Sequence, residues 1–85
     1  MTDRQYEETI INILCEVLEV NKDLFNNIKK NDPLGSLGLN SLKAIQVIVK
    51  LEDTYGISFE DEDLFFDKIN TLEKIINTLG KYVKE

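Results

Sequence analysis

Ser41 stands in a sequence context that could support chemistry. It follows a loop with two glycines and begins a strongly apolar segment, and residues 35–44 read Gly-Ser-Leu-Gly-Leu-Asn-Ser-Leu-Lys-Ala. Three functions are compatible with a serine in this position. It could be a catalytic nucleophile, a helix-capping residue with no other function, or an attachment point for a group that the chain itself lacks.

A catalytic function for Ser41 is the weakest of the three. A nucleophilic serine needs a base within hydrogen-bond reach, and the chain contains no histidine, which excludes Ser-His-Asp and Cys-His arrangements. Lys43 is a poor base because it is two residues away and is expected to be solvated, and the G-x-S-x-G elbow of hydrolases is absent. With one cysteine, Cys15, and no histidine, a zinc site is excluded as well. We predict no catalytic residue and no bound metal.

Attachment of a group to Ser41 has a physical basis. Asn40 is a good helix-capping residue, so the hydroxyl of Ser41 is not needed as a cap. The glycines before it leave the backbone sterically open. A phosphate esterified to Ser41 would meet free N–H groups and the positive end of the helix dipole. Simple capping remains the alternative.

The acidic composition indicates which partners the chain suits. Sixteen acidic and ten basic residues give a net charge of −6, which argues against nucleic acid and anionic membranes and favours basic patches on proteins. The start of the chain lacks the basic-then-apolar order of a signal peptide, and no apolar run could span a membrane. We expect a cytoplasmic monomer that forms one domain over residues 1–85, with natural termini at both polar ends.

An acidic segment lies between Glu52 and Asp67. It holds seven acidic residues and no lysine or arginine, and it is either a solvated face or a docking surface for basic partners. The spacing of a calcium-binding loop is absent. Cys15 is expected to be a small, partly buried hydrophobic residue.

Hydrophobic periodicity predicts helices at the two ends and in the middle of the chain. Apolar residues at steps of three and four mark a first helix over residues 3–20, for which Thr2 and Gln5 offer a capping box. The second helix begins at Asn40 or Ser41 and runs to about residue 55, where Gly56 ends it. The last helix begins around residue 71.

The remaining segments connect these helices. Asn70 is predicted to cap the last helix, with Glu73 three residues on, and the buried stripe of that helix extends to Val83. Residues 21–40 form a long ordered loop with a short helical turn near residues 23–27, held to the core by spaced apolar residues (Leu24, Phe25, Ile28, Leu34 and Leu37). Residues 57–59 are extended, and a short helix is expected near residues 61–66. The predicted fold is all-α: a small antiparallel four-helix bundle with three long helices and one short one.

The second helix has more apolar surface than a bundle helix needs. One stripe contains Ala44, Val47, Ile48, Leu51 and Tyr55, and a neighbouring face carries Leu42, Ile45 and Val49. Either this helix is central and packed on both sides, or the second face is an exposed patch on which a partner docks.

Residues 37–44 resemble the phosphopantetheine-attachment motif of acyl and peptidyl carrier proteins. That motif is a leucine and a glycine, a variable residue, a polar residue, then serine and leucine or isoleucine, and here it reads Leu-Gly-Leu-Asn-Ser-Leu. The resemblance extends to the order of helices over nearly the whole chain. It implies a non-catalytic carrier with 4′-phosphopantetheine, derived from coenzyme A, esterified to Ser41 and holding intermediates as thioesters.

The resemblance also implies partners. These are a phosphopantetheinyl transferase, an adenylating or acylating enzyme and downstream synthetase enzymes, contacted through Asn40, Leu42, Ile45 and Val49. Asn40 occupies the position where aspartate is most common in the family. The order Ser-Leu-Lys-Ala is more similar to peptidyl carriers, so the sequence favours a free-standing aminoacyl or peptidyl carrier of nonribosomal peptide synthesis. The alternatives are an acyl carrier of fatty-acid or polyketide synthesis and, in a different class, an unmodified helical adaptor.

Overall fold

Three α-helices account for most of the chain. The computed structural model describes residues 3–83, with side chains from Tyr6 onward, and contains α1 (Asp3–Leu18), α2 (Ser41–Tyr55) and α3 (Leu72–Gly80). Short 3-10 turns lie in the connections, and no strand occurs within the described range. The all-α prediction is confirmed. The capping box predicted at Thr2 and Gln5 lies outside the described residues and side chains.

The short fourth helix is not present as an α-helix within residues 3–83. Two separate 3-10 turns replace it, at Asp61–Asp63 and at Phe66–Lys68. Between them Phe65 has extended backbone angles (φ −67°, ψ 140°), so the i to i−4 hydrogen-bond ladder of an α-helix cannot run through this segment. The four-helix bundle is therefore not confirmed in that form.

α1 is the central helix. It packs against both α2 and α3, whereas the sequence allowed α2 to hold that position. The helix ends two residues earlier than predicted, because Glu19 has a left-handed backbone (φ 57°) and the N–H of Val20 bonds the carbonyl of Cys15 at 3.2 Å. The core is formed by the apolar stripes of all three helices together with Leu34, Leu39, Phe59 and Ile69 from the connections.

The loop between α1 and α2 is ordered by its own anchors and by bonds to the start of α3. Leu34 and Leu39 are buried, but Leu24, one of the predicted anchors, is 42% exposed. The N–H of Leu34 donates to the carbonyl of Asn70 at 2.9 Å, and the N–H of Glu73 donates to the carbonyl of Lys30 at 2.9 Å. The predicted helical turn is a 3-10 turn over Lys22–Asn26.

α3 begins one residue later than predicted. Thr71, and not Asn70, is the N-cap: its side chain accepts a hydrogen bond from the N–H of Lys74 at 3.1 Å. The carbonyl of Asn70 is instead used by Leu34. Tyr82 and Val83 lie beyond the end of the helix and are half-buried.

The helices within residues 3–83 are too short or too polar to cross a membrane.

Candidate functional site

Ser41 is the first residue of α2, and its neighbour fixes where that helix begins. Asn40 has extended backbone angles (φ −136°, ψ −177°), its Oδ1 accepts from the N–H of Lys43 at 2.9 Å, and its carbonyl accepts from the N–H of Ala44 at 2.8 Å. The predicted cap is confirmed. Because Asn40 supplies it, the exposed side chain of Ser41 is not needed for capping.

The loop before Ser41 holds the serine at the surface. Gly38 has a positive φ of 103°, a conformation that other residues rarely adopt, and its N–H donates to the carbonyl of Gly35 at 3.0 Å. Leu34 and Leu39, on either side of this turn, are buried. Two core anchors therefore flank the turn, and Asn40 and Ser41, which follow the second anchor, are both exposed.

The surroundings of Ser41 fit a phosphodiester on its oxygen. A Cβ placed on Gly35 or Gly38 would meet nothing within 4 Å, so the loop is open at these glycines, and the Ser41 side chain is exposed. No acidic residue lies in the first turn of α2. Among the hydrogen bonds of residues 3–83, none is donated by the N–H groups of Ser41 and Leu42. A phosphate here would face unpaired donors at the positive end of the helix dipole.

The second apolar face of α2 is exposed. Leu42 is 69%, Ile45 40% and Val49 50% accessible to solvent, whereas the stripe with Ala44, Val47, Ile48 and Leu51 is buried. Packing on both sides therefore does not explain the width of the apolar surface. We call the exposed residues Leu42, Ile45 and Val49 the α2 patch.

Sequence reasoning missed how the lysines of α2 are placed. Lys43 is half-buried, and its Nζ lies 3.5 Å from the carbonyl of Val17 in the last turn of α1, where a cation complements the helix dipole. Lys50 Nζ lies 3.3 Å from Glu16 Oε1, also on α1. No sequence spacing links these positions, because the contacts arise only when α1 and α2 pack together.

The acidic segment is not uniformly a solvated face. Asp63 is only 2% exposed, and Glu52 accepts a hydrogen bond from the N–H of Phe59 at 2.9 Å. These two acids therefore make contacts within the fold. The other five remain exposed. Within residues 3–83, no group of three or more histidine, cysteine, aspartate or glutamate side chains could hold a metal ion.

Cys15 is half-buried on α1, as the sequence predicted. Burial raises the pKa of its thiol, which Lys22 only partly opposes. It is therefore a packing residue and not an activated thiol.

Comparison with known proteins gives consistent results. A family model described as "Phosphopantetheine attachment site" matches residues 8–79. A protein named acyl carrier protein homolog from Ureaplasma parvum serovar 3 is 35% identical over 88% of this chain and 95% of its own length. The acyl carrier protein of Chlorobium phaeobacteroides is 32% identical over 95% of this chain and 99% of its own length. That of Buchnera aphidicola is 33% identical over 92% of both chains.

These relatives favour the acyl carrier alternative over the peptidyl carrier that the motif suggested. The motif argument rested on the order Ser-Leu-Lys-Ala, with Lys43 and Gln46 at positions that tend to be acidic in fatty-acid carriers, whereas the relatives over almost the whole chain are named acyl carrier proteins. The family model covers most of the chain, and the relatives align over almost their full lengths. The chain therefore belongs to the phosphopantetheine-binding family of acyl and peptidyl carrier proteins, and it is a non-catalytic carrier with covalently attached 4′-phosphopantetheine.

Proposed function

We propose that this chain is an acyl carrier protein of fatty-acid or polyketide biosynthesis, that it forms one domain over residues 1–85, and that Ser41 carries its 4′-phosphopantetheine. The observation that supports the attachment site is the exposed hydroxyl of Ser41 at the start of α2, next to two unpaired helix N–H groups and inside the segment that the family model matches. The names of the relatives support an acyl cargo.

The chain's own residues position the attachment point. When attached, 4′-phosphopantetheine supplies a terminal thiol that holds an acyl group as a thioester. Asn40 fixes the first turn of α2 through its side chain and its carbonyl, and the N–H groups of that turn stabilise the phosphodiester charge. The buried residues Leu34 and Leu39 hold the preceding loop in place. The arm is thus tethered to a rigid base, which raises the effective concentration of its cargo at each partner.

Partner enzymes are proposed to dock beside the arm. Carrier proteins act with a phosphopantetheinyl transferase and with synthetase enzymes, each of which must reach Ser41 or the end of the arm. The α2 patch begins at the residue after Ser41, and Asn40 is the residue before Ser41. A partner bound to these residues therefore has the attachment point within reach. Exposed apolar residues grouped in this way typically mark an interaction surface.

The attachment site is tested by intact mass spectrometry. We expect incubation with coenzyme A, Mg²⁺ and a broad-specificity phosphopantetheinyl transferase to add one phosphopantetheine to the wild-type chain and none to Ser41→Ala. Ser36→Ala is the matched control, because Ser36 is an exposed serine in the same loop, and it should be modified like the wild type. Modification of Ser41→Ala would refute the site, and an unmodified, folded wild type would favour the unmodified adaptor.

The type of cargo is tested on the modified chain. An acyl carrier is expected to accept a malonyl group from malonyl-CoA in the presence of a malonyl transferase of fatty-acid synthesis. Loading of an amino acid by an adenylating enzyme, with no malonyl transfer, would return the assignment to the peptidyl carrier.

A substitution that introduces one negative charge tests the α2 patch. Leu42→Asp should leave the helical circular dichroism unchanged, since Leu42 is exposed, and should slow modification of Ser41 about tenfold, as truncation of an interface anchor typically does. Asn77→Asp, which adds the same charge to an exposed position of α3, should be modified at the wild-type rate. An unchanged rate in Leu42→Asp would remove the patch from the transferase interface.

A further inference from the structure

The exposed face of α2 has a lysine edge and an acidic edge. Lys43 and Lys50 lie on the side facing α1, as their contacts with Val17 and Glu16 show. Glu52 lies on the other side, where it accepts the N–H of Phe59. The α2 patch runs between the two edges.

The part of α2 beside Ser41 is a basic region on an acidic molecule. From Ser41 to Leu51 the sequence contains two lysines and no acidic residue. The rest of the chain therefore contains all sixteen acidic residues. Its net charge is −8, compared with −6 for the whole chain, because the two lysines are left out. Acidic residues return at Glu52 and Asp53 and continue along the segment that follows α2. The charge thus changes sign along the helix, starting from the end that carries Ser41.

The lysine charges remain available to a partner. Lys50 pairs with Glu16 across the surface, with 44% and 67% of the two side chains exposed, and such solvated pairs are weak. Lys43 has only a long contact, 3.5 Å, with a neutral carbonyl. Neither lysine is held in a buried ion pair: Lys50 shares its charge with Glu16 in a solvent-exposed pair, and the acceptor of Lys43 carries no charge.

We propose that enzymes acting on this carrier receive the α2 patch in an apolar socket whose edge facing Lys43 and Lys50 carries carboxylate side chains. A basic edge at that place would meet like charge, which disfavours docking. The acidic residues from Glu52 onward require a neutral or basic surface on the part of the partner that lies against them. The pattern fixes the direction in which a partner lies along α2. The biological use of this surface rests on the proposed function, but its charge preference is tested without the arm.

Two synthetic amphipathic helical peptides serve as probes of that preference. They share one apolar stripe, and the polar face carries only glutamate in one and only lysine in the other. The full-length chain, labelled with ¹⁵N, is titrated with each peptide while the amide signals are followed by NMR. We expect the glutamate peptide to bind the α2 patch roughly threefold more tightly than the lysine peptide, a modest factor because the ion pairs are exposed. The lysine peptide should perturb residues 60–67 instead.

Matched variants assign the effect to the two lysines. Replacing both Lys43 and Lys50 by glutamine should abolish the preference at the α2 patch, because glutamine keeps the length and polarity and removes only the charge. Replacing Lys29 and Lys74, two exposed lysines outside α2, should leave it unchanged. Equal or stronger binding of the lysine peptide at the patch, or no perturbation of the patch by either peptide, would overturn the proposal. Because no arm is involved, such a result leaves the attachment at Ser41 unaffected.

Discussion

The hydroxyl of Ser41 is available for modification because the residue before it caps the helix. Asn40 satisfies the N–H of Lys43 with its side chain and the N–H of Ala44 with its carbonyl. The donors of Ser41 and Leu42 are left for a ligand at the positive end of the helix. At this scale two adjacent residues have separate roles: Asn40 fixes the geometry of the helix start, and Ser41 has the exposed hydroxyl that we propose as the attachment point.

Removing the cap should destabilise the protein without touching Ser41. We expect Asn40→Ala to lower the free energy of unfolding by about 1 kcal/mol, because the N–H of Lys43 loses its acceptor. Asn40→Asp retains an acceptor and should stay within about 0.5 kcal/mol of the wild type. Urea denaturation followed by circular dichroism measures both. Equal midpoints for Asn40→Ala and the wild type would show that the cap contributes nothing.

The segment that follows α3 is held by the turn between α2 and α3. Lys81 Nζ lies 2.7 Å from Asp63 Oδ1, and the hydroxyl of Tyr82 donates to the other carboxylate oxygen. That hydroxyl also accepts the N–H of Glu60 at 3.0 Å, and the ring of Tyr82 packs edge-on against Phe59. A buried carboxylate is costly unless it is paired, so these bonds explain why Asp63 is tolerated in the core.

These bonds make the stability of the protein depend on pH. Hydrogen bonds from Lys81 and Tyr82 hold the pKa of Asp63 below its ordinary value. A group whose pKa is lowered by folding stabilises the folded state above its unfolded pKa, about 4, and loses that contribution as pH falls through the folded pKa. The same bonds raise the pKa of Lys81 and Tyr82, so on the alkaline side their contribution is lost only as pH rises through the raised pKa values of these two groups.

Asp63→Asn should therefore be less stable than the wild type at pH 7, and the difference should shrink below about pH 4. The measurement is the free energy of unfolding by urea at several pH values. Asp61→Asn, which changes an exposed acid in the same turn, is the control and should follow the wild type throughout. A difference that does not vary with pH would mean that the charge of Asp63 is not what stabilises the segment.

For the molecule as a whole, the position of α1 decides which surface is left free. α2 packs against the central helix α1, and its second apolar face stays in solvent. That face begins at the residue after Ser41. The same packing turns Lys43 and Lys50 towards α1 and so gives the free surface its two edges.

Two leucines of α2 should separate stability from recognition. Leu51 is fully buried and Leu42 is 69% exposed. Leu51→Ala is expected to lower the free energy of unfolding by roughly 3 kcal/mol, through lost apolar burial and the cavity left behind. Leu42→Ala should change it by less than about 0.5 kcal/mol while slowing modification by the transferase. Urea denaturation and the modification rate are measured on both variants, and a large loss of stability in Leu42→Ala would show that the α2 patch belongs to the core.

The sequence by itself determined the local features of this protein. The periods of the apolar residues located the end of α1 to within two residues and the start of α3 to within one, but they carried α3 to Val83, three residues past its end at Gly80. Asn40 and Gly56 located both ends of α2. The motif around Ser41 pointed to the attachment chemistry. Helix caps, periodicity and short motifs depend on residues a few positions apart, so they can be read from the chain.

Only the tertiary structure decided which surfaces are covered. The sequence could not choose between a central α2 and an exposed patch, because exposure depends on which helix packs against which. It missed the contact between Lys43 and Val17, which lie far apart in the chain, and the burial of Asp63, whose partners follow α3. It placed the cap of α3 at Asn70, whose carbonyl bonds the distant Leu34 instead. Each of these features depends on contacts between distant residues, which form only when the helices and loops pack together.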